Sequence, residues 1–344
     1  MGSSRIALDV MGGDHAPEAF LRGALDACRT LADRGVSADR LLMVGDQPRI
    51  EALLEELGGD HDFEIEHASQ VIEMDESPGR ALRAKKDSSI SKAIRAVREG
   101  RAGSVVSMGN TGACVGAATL MLGTLPGVHR PGISITLELT GSPVTLLDMG
   151  ANVAPKARHL AQYGAMASIY MRDCLGVKTP RVGLLNIGEE RGKGTPLLQE
   201  AFELLEAGDL AFIGNVEGSD IFRNVCDVVV TDGLTGNVIL KLLEQFAHFL
   251  LTKVTTELKS HGTEWGAESL ANVQRVIDYS TYGGALLLGV NGVVIIGHGR
   301  SDSNAVANAI GLACRALDFH VNEHIEQGLA ASISPPVVAP DATS

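Results

Sequence analysis

The chain has 344 residues, 45% hydrophobic and only 4% aromatic, with 40 glycines and a formal net charge of −13. That charge argues against nonspecific nucleic-acid binding, and no apolar run reaches the length of a membrane span. The start, MGSSRIALDV, has no apolar stretch of the kind a secretory signal needs. The five cysteines, Cys28, Cys114, Cys174, Cys226 and Cys314, form no C-x-x-C pair and read as reduced cytosolic thiols.

In chain order, strand Ile6–Val10 carries Asp9 and enters the loop MGGDHAP. The paired glycines allow close backbone approach, and Asp14 and His15 can do acid–base work. The spacing does not match G-x-G-x-x-G, so a dinucleotide fingerprint is absent here. Helix Pro17–Arg34, strand Leu41–Val44, helix Pro48–Leu57 and strand Phe63–Glu66 follow. Between Arg80 and Arg101 stand Arg80, Arg83, Lys85, Lys86, Lys92, Arg95, Arg98 and Arg101, against only Asp87 and Glu99. This segment contains helix Ser89–Arg98 and is either a solvated face or a docking patch for an acidic partner.

Strand Ser104–Met108 runs into GNTGA, where Asn110 and Thr111 open helix Gly112–Gly123 and either cap it or line an anion nest. Strands Ser134–Leu139 and Val144–Asp148 lead to Met149-Gly150-Ala151-Asn152 and helix Ala157–Leu175. Strand Val182–Asn186 enters IGEERGKGTP, which places Lys193 between Gly192 and Gly194. Thr195 is the expected N-cap and Pro196 the first residue of helix Pro196–Ala207. A cation on a bare glycine loop beside free backbone N–H groups suits phosphate or a developing oxyanion. It is not a P-loop: three residues, not four, separate Gly188 from Gly192, and Gly194 follows the lysine where a hydroxyl is required.

Strand Leu210–Gly214 ends at Asn215, and strand Val228–Thr231 ends at Asp232-Gly233-Leu234-Thr235-Gly236-Asn237. A long amphipathic helix spans Thr235–Ser260, about 37 Å at 1.5 Å per residue. With a second helix at about Ala267–Tyr279 it predicts a protruding hairpin over about 235–280, suited to a dimer seam or a lipid-chain groove, the seam favoured. Strand Val293–Ile296 then leads to Gly297-His298-Gly299-Arg300-Ser301, where Arg300 can clamp phosphate through two donors, and helix Ser303–Gln327 closes the fold. The alternation of strands and helices predicts one three-layer α/β/α domain over 1–330 with a mostly parallel sheet. A disordered tail is expected over 331–344. If the strand-end loops share a cleft, the candidate phosphate- or substrate-binding residues are Asp9, His15, Asn110, Thr111, Asn152, Asn215, Asp232, Thr235, His298 and Arg300. No His/Cys/Asp/Glu cluster has ligand spacing, so no metal and no cofactor are expected.

The segments ALDVMGGDHAP, RAKKDSSI, SMGNTGA, LLDMGAN, LLNIGEERGKGTPL, GNVEGSDIF, VVTDGLTGNVILK and YGGALLLGVNGVVIIGHGRSD resemble the phosphate acyltransferase (PlsX-type) family of bacterial phospholipid synthesis, in order over residues 5–328. The resemblance implies a homodimeric fold similar to phosphotransacetylase and the isocitrate dehydrogenase superfamily. It implies reversible acyl transfer from acyl carrier protein to inorganic phosphate, with the acyl phosphate passing to a downstream glycerol-3-phosphate acyltransferase. The family's catalytic Lys and Asn match Lys193 and Asn237. An acidic carrier protein is then the partner expected for Arg80, Arg83, Lys85, Lys86 and Lys92. Some family members sit at the inner face of the membrane through an apolar hairpin tip; here the tip, ELKSHGTEWGAE, is largely polar, and a cytoplasmic protein is expected. The rival readings are phosphotransacetylase-like transfer to or from coenzyme A, an NAD-dependent dehydrogenase, which the missing glycine fingerprint disfavours, and a non-catalytic carrier-binding protein.

Overall fold

A computed structural model describes residues 4–58, 62–138, 141–260 and 283–333. Eleven strands form one continuous sheet in the order β3-β2-β1-β4-β11-β10-β5-β6-β9-β7-β8. They are β1 Ile6–Asp9, β2 Leu41–Gly45, β3 Glu64–His67, β4 Ser104–Ser107, β5 Gly132–Glu138, β6 Pro143–Leu147, β7 Arg181–Leu185, β8 Ala211–Val216, β9 Val228–Val230, β10 Ala285–Leu288 and β11 Val293–Ile296. The helices are α1 Glu18–Thr30, α2 Gln47–Glu56, α3 Pro78–Ala84, α4 Ser89–Arg98, α5 Thr111–Met121, α6 Ala157–Leu175, α7 Pro196–Glu206, α8 Gly233–Ser260, α9 Ser303–Asp318 and α10 Val321–Ile333.

The strands are aliphatic runs because helices cover both faces. Every residue of β1, β2, β4, β9 and β11 is buried. Alternation along β1 divides the core: Ile6 and Leu8 join Phe20 of α1, Tyr163 of α6 and Val306 of α9 on one face. Ala7 joins Ile94 of α4 and Cys114 of α5 on the other. Each fully buried Leu or Phe contributes about 1.5–3 kcal/mol, so the two apolar layers hold the three-layer stack that alternation predicts.

Three antiparallel pairings, β11–β10, β10–β5 and β5–β6, interrupt the otherwise parallel sheet. They reverse its direction: β1, β2, β3, β4 and β11 run one way, and β6, β7, β8 and β9 run the other. The carboxyl ends of the two groups therefore leave the sheet on opposite sides. This reversal depends on β10, a four-residue apolar run between glycines that the sequence reading passes over.

Other boundaries also differ from expectation. The predicted helix Ser303–Gln327 is two helices, broken at Phe319 and His320, and His320 adopts φ 48°. The short helix α3 was not expected, and its sequence PGRALRA is too brief to show a period. Of the predicted hairpin, the first helix is present as α8, while the segment about Ala267–Tyr279 lies outside the described residues. The expected tail begins later than residue 331, because α10 continues to Ile333; residues 334–344 lie outside the described range. No helix among the described residues is long and apolar enough to cross a membrane.

Candidate active site

Lys193 lies in the loop between β7 and α7. β7 ends at Leu185, and Asn186 then turns its side chain back: Oδ1 accepts the Ile187 N–H at 2.8 Å and Nδ2 donates to the Lys193 carbonyl at 3.1 Å. Thr195 caps α7 as expected, its hydroxyl accepting the Leu198 N–H at 3.4 Å, with Pro196 in the first turn. The Lys193 side chain is 48% exposed, and its nearest carboxylate, Glu190, is 3.8 Å away. A pair this loose and solvated holds the ammonium weakly, leaving it available to an anion.

The loop after β6 is organised by Asp148. Its carboxylate accepts five hydrogen bonds: Oδ1 takes the N–H groups of Ile133, Gly150 and Ala151, and Oδ2 takes the backbone and side-chain N–H of Asn152. Burial pushes the carboxyl up, opposed by these donors. The side chain is fully buried, so the five donors replace its lost hydration. Asn152 Nδ2 also reaches the Pro131 carbonyl at 2.6 Å and the Tyr163 hydroxyl at 2.8 Å. Asn152, expected as a substrate ligand, is thus spent on the scaffold, and the backbone donors of this loop are taken by the protein's own carboxylate.

α8 starts against this loop. Asp232 caps it, accepting the Leu234 and Thr235 N–H groups at 3.0 and 2.9 Å and the Thr235 hydroxyl at 2.7 Å. The expected ligands Asp232 and Thr235 therefore satisfy each other and the helix end. Gly236 packs on the Asp148 carbonyl so tightly that a Cβ would collide with it. This contact sets Asn237 beside Gly150, where a side chain on the glycine would meet the Asn237 amide at 3.6 Å. Asn237 is exposed and makes no side-chain hydrogen bond among the described residues.

At the ends of β1, β4 and β11 a second polar group forms. Buried Asp9 accepts the Ser107 hydroxyl at 2.7 Å, and burial raises its carboxyl. Asp14 N–H donates to the Gly299 carbonyl at 2.7 Å. Asn110 caps α5 through Ala113 N–H and spends its amide on the carbonyls of Glu73, Met74 and Glu76. Its role here is capping and tethering, while Thr111 beside it is exposed. His15 is exposed in an open groove of about 720 Å³ that Asp14, Arg22 and Arg49 also line. Arg300 is exposed and its backbone N–H donates to His298 Nδ1 at 3.1 Å. Burial and the neighbouring Lys241 hold the His298 imidazole below its ordinary range, so it is neutral at pH 7.

α8 joins the two groups. Lys241 lies eight residues past Gly233, about 12 Å of helix, which is comparable with the length of these short strands. There its ammonium stands 3.3 Å from His298 Nε2 and 2.8 Å from Glu244. Asn237, Lys241 and Glu244 follow i, i+4, i+7 spacing and share one helix face. One face of α8 thus touches the Asp148 loop at Asn237 and the His298 loop at Lys241. The sequence reading missed Lys241 and Glu244; their spacing from Asn237 was the available signal, hidden inside an apolar stripe. Asn215 sits at the end of β8 and donates to the Glu190 carbonyl at 2.9 Å, so it holds the Lys193 loop.

The basic segment divides. Arg80, Arg83 and Lys86 are exposed. Lys85 is turned inward onto Glu76 at 2.5 Å and the Val71 carbonyl, and Lys92 onto Asp87 at 3.0 Å and the His67 carbonyl. Those two are committed to internal pairs; the Ser69 hydroxyl and N–H, and after them Lys92, hold Asp87 well below the usual carboxylate range. The face adjoins the second polar group, since Gly112 packs on Pro78 and Gly299 on Met74.

A family model described as "Fatty acid synthesis protein" matches residues 4–324. A phosphate acyltransferase of Nitratidesulfovibrio vulgaris is 42% identical over 339 residues, 96% of this chain and 96% of that protein. One from Heliobacterium modesticaldum is 44% identical over 338 residues, covering 96% and 99%. Among solved structures, a phosphotransacetylase from Streptococcus pyogenes superposes with a TM-score of 0.60 at 18% identity, covering 91% of this chain and 94% of that one; at that identity the likeness speaks for the fold.

Asp148→Asn turns an all-acceptor group into one that presents an NH₂ to N–H groups. It is expected to destabilise the protein by about 3 kcal/mol, read as a lower Tm by calorimetry. An unchanged Tm would contradict the role given to Asp148.

Proposed function

The chain belongs to the phosphate acyltransferase family, and from that premise we propose that it moves a fatty acyl group from acyl carrier protein to inorganic phosphate. A phosphate oxygen attacks the thioester carbonyl carbon, the C–S bond breaks, and acyl phosphate and the carrier thiol leave. The observation that carries the reading is the half-exposed Lys193 ammonium on its glycine loop, one helix start away from free backbone donors.

The thiols support direct attack by phosphate. Burial raises all five, Cys174 and Cys226 to about 12, and Cys114 further. A thiol held protonated is a poor nucleophile, so an acyl-cysteine intermediate is disfavoured. Lys193 holds the phosphate dianion and offsets charge on the tetrahedral intermediate, and Asn237 donates its amide N–H to the oxyanion. Lys193→Ala and Asn237→Ala should each lower kcat/KM by roughly 10²–10³ with Tm unchanged, the usual worth of one such donor. Retention of most of the wild-type kcat/KM in Lys193→Ala would refute its catalytic role.

Arg80, Arg83 and Lys86 are the side chains offered to an acidic carrier, because Lys85 and Lys92 face inward. Reversing all three to Glu should raise KM for acyl carrier protein about tenfold or more, most steeply at low salt and less at high salt, where the repulsion is screened. KM for phosphate should hold. An unaltered carrier KM would remove the patch from the reading.

A second copy of the chain is the proposed cover for the outer face of α8. Leu234, Val238, Leu242, Phe246, Phe249 and Leu250 line it and are 44–64% exposed, a contiguous apolar stripe that water disfavours. Leu242→Asp with Phe246→Asp should shift sedimentation from dimer to monomer; a wild-type monomer at micromolar concentration would exclude this seam. A cytoplasmic enzyme handing acyl phosphate to a downstream glycerol-3-phosphate acyltransferase is the setting that fits this reading.

A further inference from the structure

The Lys193 loop is held by carboxamides from three elements. Asn215 of β8 donates Nδ2 to the Glu190 carbonyl at 2.9 Å. Gln199, one turn into α7, donates Nε2 to the Gly192 carbonyl at 2.8 Å and lies 3.5 Å from that of Gly194. Asn186, past the end of β7, donates Nδ2 to the Lys193 carbonyl at 3.1 Å. Three amides thus draw three carbonyls of one short loop onto the body of the protein.

The consequence follows from peptide geometry. A trans peptide points its N–H opposite to its C=O. With the Glu190 and Lys193 carbonyls drawn inward, the N–H groups of Arg191 and Gly194 turn outward. Neither has an acceptor among the described residues. Gly194 adopts φ +84° and passes so close to Asn186 that a Cβ would stand 2.5 Å from its Oδ1, so this turn is built around the clamp. Asn215 also leaves its Oδ1 buried without a partner among the described residues. A buried, half-satisfied amide is a poor stabilising device, which fits a residue kept for where it holds the loop.

We propose that Asn186, Gln199 and Asn215 are positioning residues that turn the loop carbonyls away from the reaction centre, so that the Arg191 and Gly194 N–H groups and the Lys193 ammonium together receive inorganic phosphate. The inference rests on the phosphate-site reading of Lys193. It makes the amide the required chemistry at all three positions: a carboxylate of the same shape has no donor and faces a carbonyl with like charge.

The test is Gln199→Glu and Asn186→Asp, the first on an exposed position where folding is safe, assayed beside Lys193→Ala. Each should raise KM for phosphate about tenfold, the worth of one misplaced hydrogen bond to a charged group. KM for acyl carrier protein should stay constant, and phosphate should raise Tm less than it does in wild type. Asn215→Asp should do the same if it folds, and Asn215→Ala is read in its place if it does not. If Lys193→Ala is inactive while Gln199→Glu and Asn186→Asp keep the wild-type phosphate KM, the clamp is refuted and the site reading stands. If Lys193→Ala is itself fully active, the site reading falls and the clamp with it. Equal losses of phosphate and carrier affinity would reduce these amides to general structural supports and overturn the proposal.

Discussion

The Asp148 carboxylate is fully buried, and the placement of Asn237 depends on the loop it holds. A buried ion is costly unless its charge is met by donors, and here five N–H groups meet it. They come from the start of β5 and from the loop after β6, the two strands between which the sheet completes its reversal. Burial raises the carboxyl, but a proton on it would have to face a donor, so the ionised form is the one this loop fits. α8 then lands on the Asp148 carbonyl through Gly236, and Asn237 takes its place beside Gly150.

Reversal of strand direction and the length of α8 act together. In a wholly parallel sheet the loops after β1, β4, β11, β6, β7 and β9 would leave from one side. Here they leave from two, and a helix spanning the distance between them carries polar side chains to each. Asn237 meets one group and Lys241 with Glu244 meets the other, while the opposite face of the same helix stays apolar and exposed. One element thus carries the proposed catalytic amide on one face and the proposed seam between subunits on another.

Much of this was legible in the residues, and the misses have physical causes. Continuous β-branched runs such as Val228–Val230 are strands under almost any packing, and the Thr195-Pro196 helix start is local chemistry that tertiary structure had no reason to change. β10 was invisible because Ala285–Leu288 is four apolar residues with no period, and without it no reading could find the reversal. Among the strand-end polar residues, proximity to glycine could not distinguish ligands from caps. Asn110, Asn152 and Asp232 turned inward to satisfy backbone groups, as Asn and Asp beside a helix start commonly do. Lys193, Asn237 and Arg300 are left exposed, as are His15 and Thr111. The basic segment divided for the same kind of reason: Lys85 and Lys92 had carboxylates within reach, whereas Arg80, Arg83 and Lys86 did not.

The most direct measurement follows both products at once from the wild-type enzyme. Purified protein is given long-chain acyl-acyl carrier protein with and without inorganic phosphate, and free carrier thiol is counted beside hydroxylamine-trapped acyl phosphate. The account predicts that both appear in equal amounts and only when phosphate is present. Carrier thiol released without acyl phosphate, or acyl phosphate formed from acyl-coenzyme A but not from the carrier protein, would contradict it.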